Sequence, residues 1–384
     1  MEQFCAVIAV IWVVAFGTSV FQGKLLLDRQ GLAAPVDFVS VWAAGQQVLE
    51  GHPAAAYDSA THKLAEDKAL GRGFGGYVPW WYPPPFLFVA AGLARLPYFV
   101  AFAIWMAVTW SIFALVLRGI AGHRLGLLLA AAFPATLWNI ATGQTGFLTA
   151  ALIGGAMLLL EPRPMLSGLC LGILTYKPHF GILFPLILAV AGHWRPFAIA
   201  AATGIVMALA SWLTFGSAAW EAFFHAMPTA ATTALSHGMV NASEGMARFW
   251  RLQSLFGFVR TLGGNETTAW VFQITAALAS FTVVSMIWRR PVPFELKAAA
   301  LAVGTLFITP YVFAYDLTIL AVPMTFLIRL GLRTGFWFGE PAALGIAAIC
   351  VFLFPFVKMP VGVMAMLIAA ALILRRVCVG ERRP

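Results

Sequence analysis

Long apolar stretches separated by short polar connections recur along most of the chain. A membrane-spanning α-helix needs about 20 predominantly apolar residues, and these stretches approach that length without the alternation of a barrel strand. We therefore predict an all-α polytopic membrane protein with about 12–13 transmembrane helices. The predicted spans are 4–22, 98–117, 125–140, 145–160, 165–176, 179–192, 197–215, 267–288, 296–310, 316–330, 341–357 and 359–375. The shorter segment 84–96 is predicted to be a short or a re-entrant helix.

The composition excludes several classes of protein. Hydrophobic residues make up 61% of the 384 and charged residues 10%, against about 45–50% and 25% in soluble domains. The net charge of +9 would suit a nucleic-acid partner, but the basic residues are scattered at the ends of apolar stretches, as membrane orientation requires. The four cysteines and seven histidines show no disulfide or metal-ligand spacing, so we expect neither a metal nor another cofactor.

Basic residues mark one side of the predicted membrane domain, which covers residues 1–384. They recur in alternate connections, at Arg118, Arg124, Arg163, Arg195, Arg289, Arg290, Lys297, Arg329, Arg333, Arg375, Arg376, Arg382 and Arg383. By the positive-inside rule this side is cytoplasmic. Residues 23–83 and 217–266 then form two long loops on the outer face. The first apolar stretch lacks the features of a cleaved signal peptide and is predicted to be a retained helix.

The first outer loop is predicted to contain two amphipathic helices that lie at the membrane surface. Apolar residues recur at helical spacing from Phe38 to Leu49, directly after Asp37. Residues 53–70 form the second candidate. Its predicted polar face comprises Asp58, His62, Lys63, Glu66 and Asp67. The loop ends in an aromatic, proline-rich segment at 77–86, which we expect at headgroup level because Trp and Tyr favour it.

The acidic residues single out Asp37. Only 15 Asp and Glu occur, and none falls in the middle of a predicted span, unlike the intramembrane acids of a proton-coupled transporter. Asp37 follows Pro35-Val36 and precedes an apolar, aromatic helix face. Partial burial there would raise the pKa of its carboxyl group toward that of a general base. The residue could equally cap the following helix, and the sequence leaves both roles open.

Three further polar sites interrupt apolar stretches on the predicted outer side. Asp316 follows an aromatic segment at the start of a late span, where it could cap that helix or face a pocket. Lys177-Pro178-His179 could bind a phosphate through charge and hydrogen bonds, or could form a polar turn. Gly143-Gln144-Thr145-Gly146 could be a tight turn or a source of polar groups for a sugar.

The order of motifs from about residue 35 to residue 325 resembles glycosyltransferase family 87. This family uses polyprenyl-phosphate sugars and includes mycobacterial α-mannosyltransferases of phosphatidylinositol mannoside synthesis. The motifs are Asp37-Phe-Val-Ser-Val-Trp-Ala-Ala-Gly45, Leu49-Glu-Gly-His-Pro-Ala-Ala-Ala-Tyr57-Asp58, Tyr82-Pro-Pro-Pro-Phe86, Gly143-Gln-Thr-Gly146, Tyr176-Lys-Pro-His179, Gln253-Ser-Leu-Phe-Gly257 and Tyr315-Asp-Leu317.

The resemblance implies a GT-C bundle whose active site lies beneath the first outer loop. It implies a mannose-like sugar on a polyprenyl-phosphate donor, a hydroxyl of a lipid or glycan as acceptor, transfer with inversion, and no metal. Asp37 would be the general base that deprotonates the acceptor. The protein would lie among the lipids of a bacterial inner membrane, with its site on the periplasmic face.

The same resemblance suggests partners for the substrates. Lys177 and His179 would bind the donor phosphate, although His179 stands where the family has Gln. Arg251 and Arg260 of the second outer loop are further phosphate candidates. The expected substrate pocket comprises Trp42, Tyr82, Gln144, Tyr315 and Asp316.

Two other functions remain as alternatives. A flippase or transporter of lipid-linked sugars would place polar residues through the depth of the helices, and the sequence does not. A polysaccharide polymerase or ligase would use basic residues and histidines of a late outer loop. The 217–266 loop does contain such residues, namely Arg248, Arg251, Arg260, His225 and His237.

Overall fold

The computed structural model describes residues 2–23, 33–236 and 248–380, so His237 lies outside the described residues. Within these ranges the chain is helical, without a β-strand. The helices are α1 (Glu2–Phe21), α2 (Phe38–Leu49), α3 (Ser59–Leu70), α4 (Leu87–Ala94), α5 (Tyr98–Ala121), α6 (Leu125–Ala132), α7 (Pro134–Thr142), α8 (Gly146–Leu159), α9 (Pro164–Ile173), α10 (Pro178–Gly181), α11 (Leu183–Val190), α12 (Trp194–Leu235), α13 (Leu255–Thr261), α14 (Glu266–Arg289), α15 (Phe294–Ile308), α16 (Ala321–Thr334), α17 (Glu340–Val357) and α18 (Gly362–Gly380). Short 3₁₀ segments occur at Pro53–Tyr57, Pro84–Phe86, Leu174–Tyr176, Phe249–Arg251 and Ala314–Leu320.

Several of these helices are long and apolar enough to cross a membrane. In the described ranges there are seven, or eight if the bent pair α6 and α7 forms one span. The predicted class, an all-α polytopic membrane protein, is confirmed.

The number of spanning-length helices is smaller than the predicted 12–13 because several apolar stretches are divided or short. The stretch 125–140 is broken at Pro134, where α6 and α7 meet at 57°. The stretches 165–176 and 179–192 form the short helices α9, α10 and α11. A helix packed inside a bundle need not reach both membrane surfaces, so an apolar stretch is not by itself a complete span.

The centre of the bundle is formed by α8, α15 and α16, in which most residues are buried. Small residues permit this packing, as is usual for helices in membranes. A Cβ atom at Gly154 of α8 would lie 2.8 Å from Val116, and one at Gly304 of α15 would lie 2.8 Å from Leu183. Because these three helices pack closely, the segments at their ends are held in fixed positions relative to one another.

Helices α1 and α12 lie at the periphery. Cys5 is the buried residue of α1, and an indole N–H of the same helix, from Trp12, donates to Ala132 O at 3.0 Å. Helix α12 continues beyond the predicted span 197–215 after a break at Gly216, whose φ of 78° favours glycine. Exposed apolar side chains on both helices suit contact with lipid.

The segment predicted to be the first outer loop contains the two predicted helices as α2 and α3. Helix α2 lies against α4, and Gly45 makes this approach possible because a Cβ atom there would lie 2.1 Å from Ala90 O. The predicted polar face of residues 53–70 is wrong at two positions. His62 and Glu66 are fully buried, because α3 turns them toward α2.

His62 and Glu66 form a buried polar cluster that joins α3 to α2. His62 bonds to Ser40 Oγ at 3.1 Å and to Gln47 Oε1 at 2.8 Å, while Glu66 accepts the Val78 backbone N–H at 3.1 Å. Burial raises the pKa of Glu66 to about 8 and lowers the pKa of His62 to about 4. Their 3.8 Å contact therefore joins two neutral groups at neutral pH.

We expect Glu66→Gln to reduce the loss of stability that occurs as pH rises from about 4.5 to about 8. The carboxyl group ionises near pH 4.5 when unfolded but near pH 8 when folded, so the folded state holds the extra proton between these values. Wild-type stability should fall by up to about 1.4 kcal/mol per pH unit across this window, and the variant should lack that fall. Thermal unfolding in detergent at about pH 5 and pH 8 measures it, with surface Glu50→Gln as control. Equal losses in wild type and Glu66→Gln would contradict the assignment.

Candidate active site

Asp37 stands at the start of α2 but does not cap that helix. Its backbone is already helical, and its side chain makes no capping hydrogen bond. The carboxylate instead accepts a hydrogen bond at Oδ2 from Gln144 Nε2, at 3.0 Å. Of the two roles open for Asp37, the structure therefore excludes side-chain capping and leaves a carboxylate held by a distant segment.

The environment of Asp37 both raises and lowers the pKa of its carboxyl group, and the effect that raises it is the larger. Burial raises the pKa of its carboxyl group, while the hydrogen bond from Gln144 and the charge of Arg251 oppose this rise. Asp37 nevertheless keeps partial exposure to solvent. A carboxylate with a raised pKa that an incoming hydroxyl can reach has the properties of a general base.

The segment Gly143–Gly146 brings Gln144 to Asp37. Gly143 ends α7 with a φ of 70°, and a Cβ atom there would lie 2.6 Å from Phe38 Cβ. At Gly146 a Cβ atom would lie 2.2 Å from Tyr315 O. Both glycines are therefore required by close approach of the chain. The segment is a tight turn that also supplies a polar group.

Tyr82 holds the other end of the Gln144 amide. Its hydroxyl donates to Gln144 Oε1 at 2.9 Å, and its ring packs against Phe86 and Tyr176 with centroids 4.6 and 6.0 Å apart. Burial raises the pKa of Tyr82 well above its ordinary value of 10.0. The phenol therefore stays a neutral hydrogen-bond donor.

Lys177 and Asp316 form a buried ion pair beside this group. Lys177 Nζ donates to Asp316 Oδ1 at 2.7 Å, and the two side chains are only 7% and 1% exposed. Asp316 Oδ2 also accepts the Phe313 backbone N–H at 3.0 Å. Asp316 is the third residue of the 3₁₀ segment Ala314–Leu320, and the N-cap position of that segment is occupied by Phe313.

Aromatic rings surround the ion pair. The Lys177 ammonium lies 4.9 Å from the centre of the Tyr315 ring, a geometry that stabilises a cation. The His179 ring packs against Phe180 and Tyr311, with centroids 4.4 and 6.2 Å away. Lys177, Tyr315 and Asp316 are therefore brought together, and His179 lies at their margin.

The two arginine candidates lie in different surroundings. Arg251, in a 3₁₀ segment, acts electrostatically on Asp37. Arg260 donates hydrogen bonds to Gly264 O and Ser236 O and lies over the Phe249 ring. Trp42 is likewise held by structural contacts, through its indole N–H to Leu96 O at 3.0 Å. Arg251 joins the Asp37 group, whereas Arg260 and Trp42 contact backbone elsewhere.

Two buried polar residues of the site are absent from the expected pocket. Asn139 Oδ1 accepts the Gly146 N–H at 2.8 Å, and the Tyr176 hydroxyl hydrogen-bonds Thr149 at 2.6 Å. In the sequence, Asn139 stands out as a lone Asn in the apolar stretch 134–142, and Tyr176 stands out by its position next to Lys177. Across the described ranges, no three His, Cys, Asp or Glu side chains group as a metal site requires.

A model of glycosyltransferase family 87 matches residues 80–314, which is more than half of the 384 residues. The match includes Tyr82, Gln144 and Lys177 but ends before Asp316 and begins after Asp37. No curated protein and no solved structure matches the chain. The extent of the family match agrees with the order of motifs in the sequence, and the chain therefore belongs to glycosyltransferase family 87.

Proposed function

We propose that this membrane glycosyltransferase moves a mannose-like sugar from a polyprenyl-phosphate donor to a hydroxyl of a lipid or glycan acceptor. The transfer would invert the anomeric carbon and take place on the periplasmic face of a bacterial inner membrane. The observation that carries the proposal is the Asp37 carboxylate, which has a raised pKa, is held by Gln144 and is acted on by the charge of Arg251. A base beside cations is the combination that sugar transfer from a phosphate requires.

In the proposed reaction, Asp37 takes the proton of the acceptor hydroxyl as the hydroxyl oxygen attacks the anomeric carbon. The bond between that carbon and the phosphate oxygen breaks, and the oxygen leaves with the electron pair as polyprenyl phosphate. Negative charge therefore grows on the phosphate in the transition state. Cations fixed in advance stabilise this charge without reorganisation.

Arg251 and Lys177 are the cations best placed for that phosphate. Arg251 has a fork of N–H donors suited to phosphate oxygens, and it acts on Asp37 electrostatically. Lys177 uses one of its three N–H donors on Asp316. His179, two residues further along the chain, would add a hydrogen bond. The phosphate role of Arg260 has no comparable support.

An apolar groove between α14, α15 and α18 supports a lipid donor. Its volume is about 250 Å³, and its lining, which includes Ala279 and Phe307, is almost wholly apolar. The lining includes Leu255, two residues after Gln253, whose backbone N–H donates to Val312 O at 2.6 Å near the Asp316 segment. An isoprenoid chain in this groove would bring its phosphate to the site.

The donor is tested with purified protein in lipid. We expect wild type to use a polyprenyl-phosphate sugar and not a soluble nucleotide sugar. We also expect Ala279→Phe, which fills the groove, to raise KM for a long-chain donor about tenfold, because the loss of apolar contact is worth about 1–2 kcal/mol. A donor with a short chain should be affected little.

The matched control is Leu278→Phe, since Leu278 is 63% exposed on the same helix and does not line the groove. It should leave both KM values unchanged. Transfer from a nucleotide sugar alone would refute the lipid donor. Equal effects of Ala279→Phe on long-chain and short-chain donors would refute the use of the groove.

A flippase has less support than sugar transfer. Family membership indicates a glycosyltransferase, and Asp37 and the Lys177–Asp316 pair lie close enough that both acids act electrostatically on Tyr82. The polymerase or ligase alternative would have the basic residues of the second outer loop carry the chemistry in place of Asp37. Arg260 of that loop is engaged with backbone carbonyls, and Arg251 acts electrostatically on Asp37.

A further inference from the structure

The two oxygens of the Asp37 carboxylate have different surroundings. Oδ2 accepts the hydrogen bond from Gln144 Nε2. Oδ1 accepts no hydrogen bond from any residue in the described part of the chain. A carboxylate has lone pairs on both oxygens, so this arrangement leaves Oδ1 as the oxygen able to receive a proton from a substrate.

The orientation of the Gln144 amide follows from its hydrogen bonds. Its Oε1 accepts from the Tyr82 hydroxyl at 2.9 Å and from the Thr145 backbone N–H at 3.3 Å. Two donors at one atom identify that atom as the oxygen. The amide nitrogen must then face Asp37. A reversed amide would place its oxygen against the carboxylate and its N–H₂ group against the Thr145 N–H.

The packing around Tyr82 and Gln144 fixes the distances between the groups of this series. Tyr82 is fixed by the rings of Phe86 and Tyr176. Gln144 follows Gly143, whose contact with Phe38 sets the distance from the turn to the start of α2. The hydrogen-bonded series Tyr82, Gln144 and Asp37 is therefore held at both ends by close packing.

We propose that Gln144 is a positioning residue, oriented by Tyr82, which holds Asp37 so that Oδ1 acts as the base. This inference rests on the proposed function, in which Asp37 deprotonates the acceptor. A neutral amide donor suits this task better than a cation in direct contact. It orients the carboxylate, whereas a paired lysine or arginine would stabilise the ionised form more strongly and weaken the base.

The hydrogen bond from Gln144 to Asp37 predicts a specific feature of the pH–rate profile. The hydrogen bond from Gln144 lowers the pKa of Asp37 against the larger effect of burial. Removing the bond must therefore raise that pKa. Because the ionised form is the active one, the acid limb of the pH–rate profile must move to higher pH. A residue that served the fold alone would lower activity without moving this limb.

The test compares Gln144→Ala and Tyr82→Phe with wild type in sugar transfer across pH. For Gln144→Ala we expect kcat to fall about tenfold to a hundredfold, with little change in donor KM, and the acid limb to move to higher pH. Tyr82→Phe keeps the ring and releases the amide, so it should move the limb in the same direction by less.

Tyr98→Phe is the matched control. The Tyr98 ring lies beside Phe38, with centroids 5.6 Å apart, and none of the described residues hydrogen-bonds its hydroxyl. The variant removes a buried hydroxyl near Asp37 without touching Gln144, so its acid limb should match that of wild type. An equal movement in Tyr98→Phe would overturn the proposal.

A second readout does not depend on turnover. Infrared difference spectra of wild type against Asp37→Asn, recorded across pH, report protonation of this carboxyl group directly. The midpoint should rise in Gln144→Ala and, by less, in Tyr82→Phe. Unchanged midpoints in both would overturn the positioning role, even if Asp37 is the base. If the wild-type protein transferred no sugar but the protonation midpoints in the variants rose as expected, the proposed function would be refuted and the positioning role would stand.

Discussion

Asp37→Asn is expected to lower kcat for sugar transfer about a hundredfold to ten-thousandfold, the usual contribution of a general base. The amide has nearly the shape of the carboxylate, and its oxygen can still accept the hydrogen bond from Gln144. It cannot take a proton from the acceptor hydroxyl. The loss should therefore appear in kcat, while the affinity for the donor stays close to that of wild type.

The same residue predicts the acid limb of the wild-type profile. Burial raises the pKa of Asp37 above its ordinary value of 3.8. Activity should fall as pH drops through this raised pKa, because the protonated carboxyl group is not a base. Asp37→Asn should lack this limb in its residual activity.

The control for Asp37→Asn is folding. Thermal unfolding and gel filtration should match wild type, because Asp37 does not cap α2. Transfer by a folded Asp37→Asn protein at the wild-type rate would refute the assigned base. The Asp37→Ala variant gives a second case, in which the hydrogen bond to Gln144 is lost as well.

The second large effect is expected at the buried pair of Lys177 and Asp316. Lys177→Met leaves the Asp316 carboxylate buried without its partner, and removal of one member of a buried ion pair costs about 3–5 kcal/mol. We expect a marked fall in the thermal midpoint. We also expect a loss of transfer, because a cation for the donor phosphate is removed.

A double variant separates the two roles of Lys177. Asp316→Asn removes the unpaired charge and keeps an oxygen for the Phe313 N–H. Lys177→Met with Asp316→Asn should therefore recover much of the stability. Transfer should remain low and KM for the lipid donor raised. Full recovery of transfer in the double variant would show that Lys177 serves only to neutralise Asp316.

The membrane class could be predicted from sequence because it depends on the length and composition of apolar stretches. The number of membrane spans could not be predicted in the same way. Whether a stretch such as 125–140 crosses the membrane or bends within the bundle depends on the helices around it. His62 and Glu66 show the same limit, because their burial comes from α2 and not from the pattern of their own helix.

The candidate site shows a similar division. Asp37 stands out in the sequence because few acidic residues occur and this one lies in an apolar context. Gln144 stands out because it belongs to the Gly143–Gly146 motif. Nothing local connects them, since they are 107 residues apart in the chain. Their hydrogen bond follows from the contact of Gly143 with Phe38, which only the folded chain reveals. Asp316 likewise gained its partner Lys177 from 139 residues away.

The packing of α8 has a consequence for biogenesis. Gly146, at its start, lies directly against Tyr315, and α8 is buried by contacts that include α15 and α16. Both partners are synthesised long after α8 has left the ribosome. During synthesis the small residues of α8 must therefore be covered by lipid, the translocon or earlier helices. The site becomes complete only after the Tyr315–Asp316 segment has been inserted.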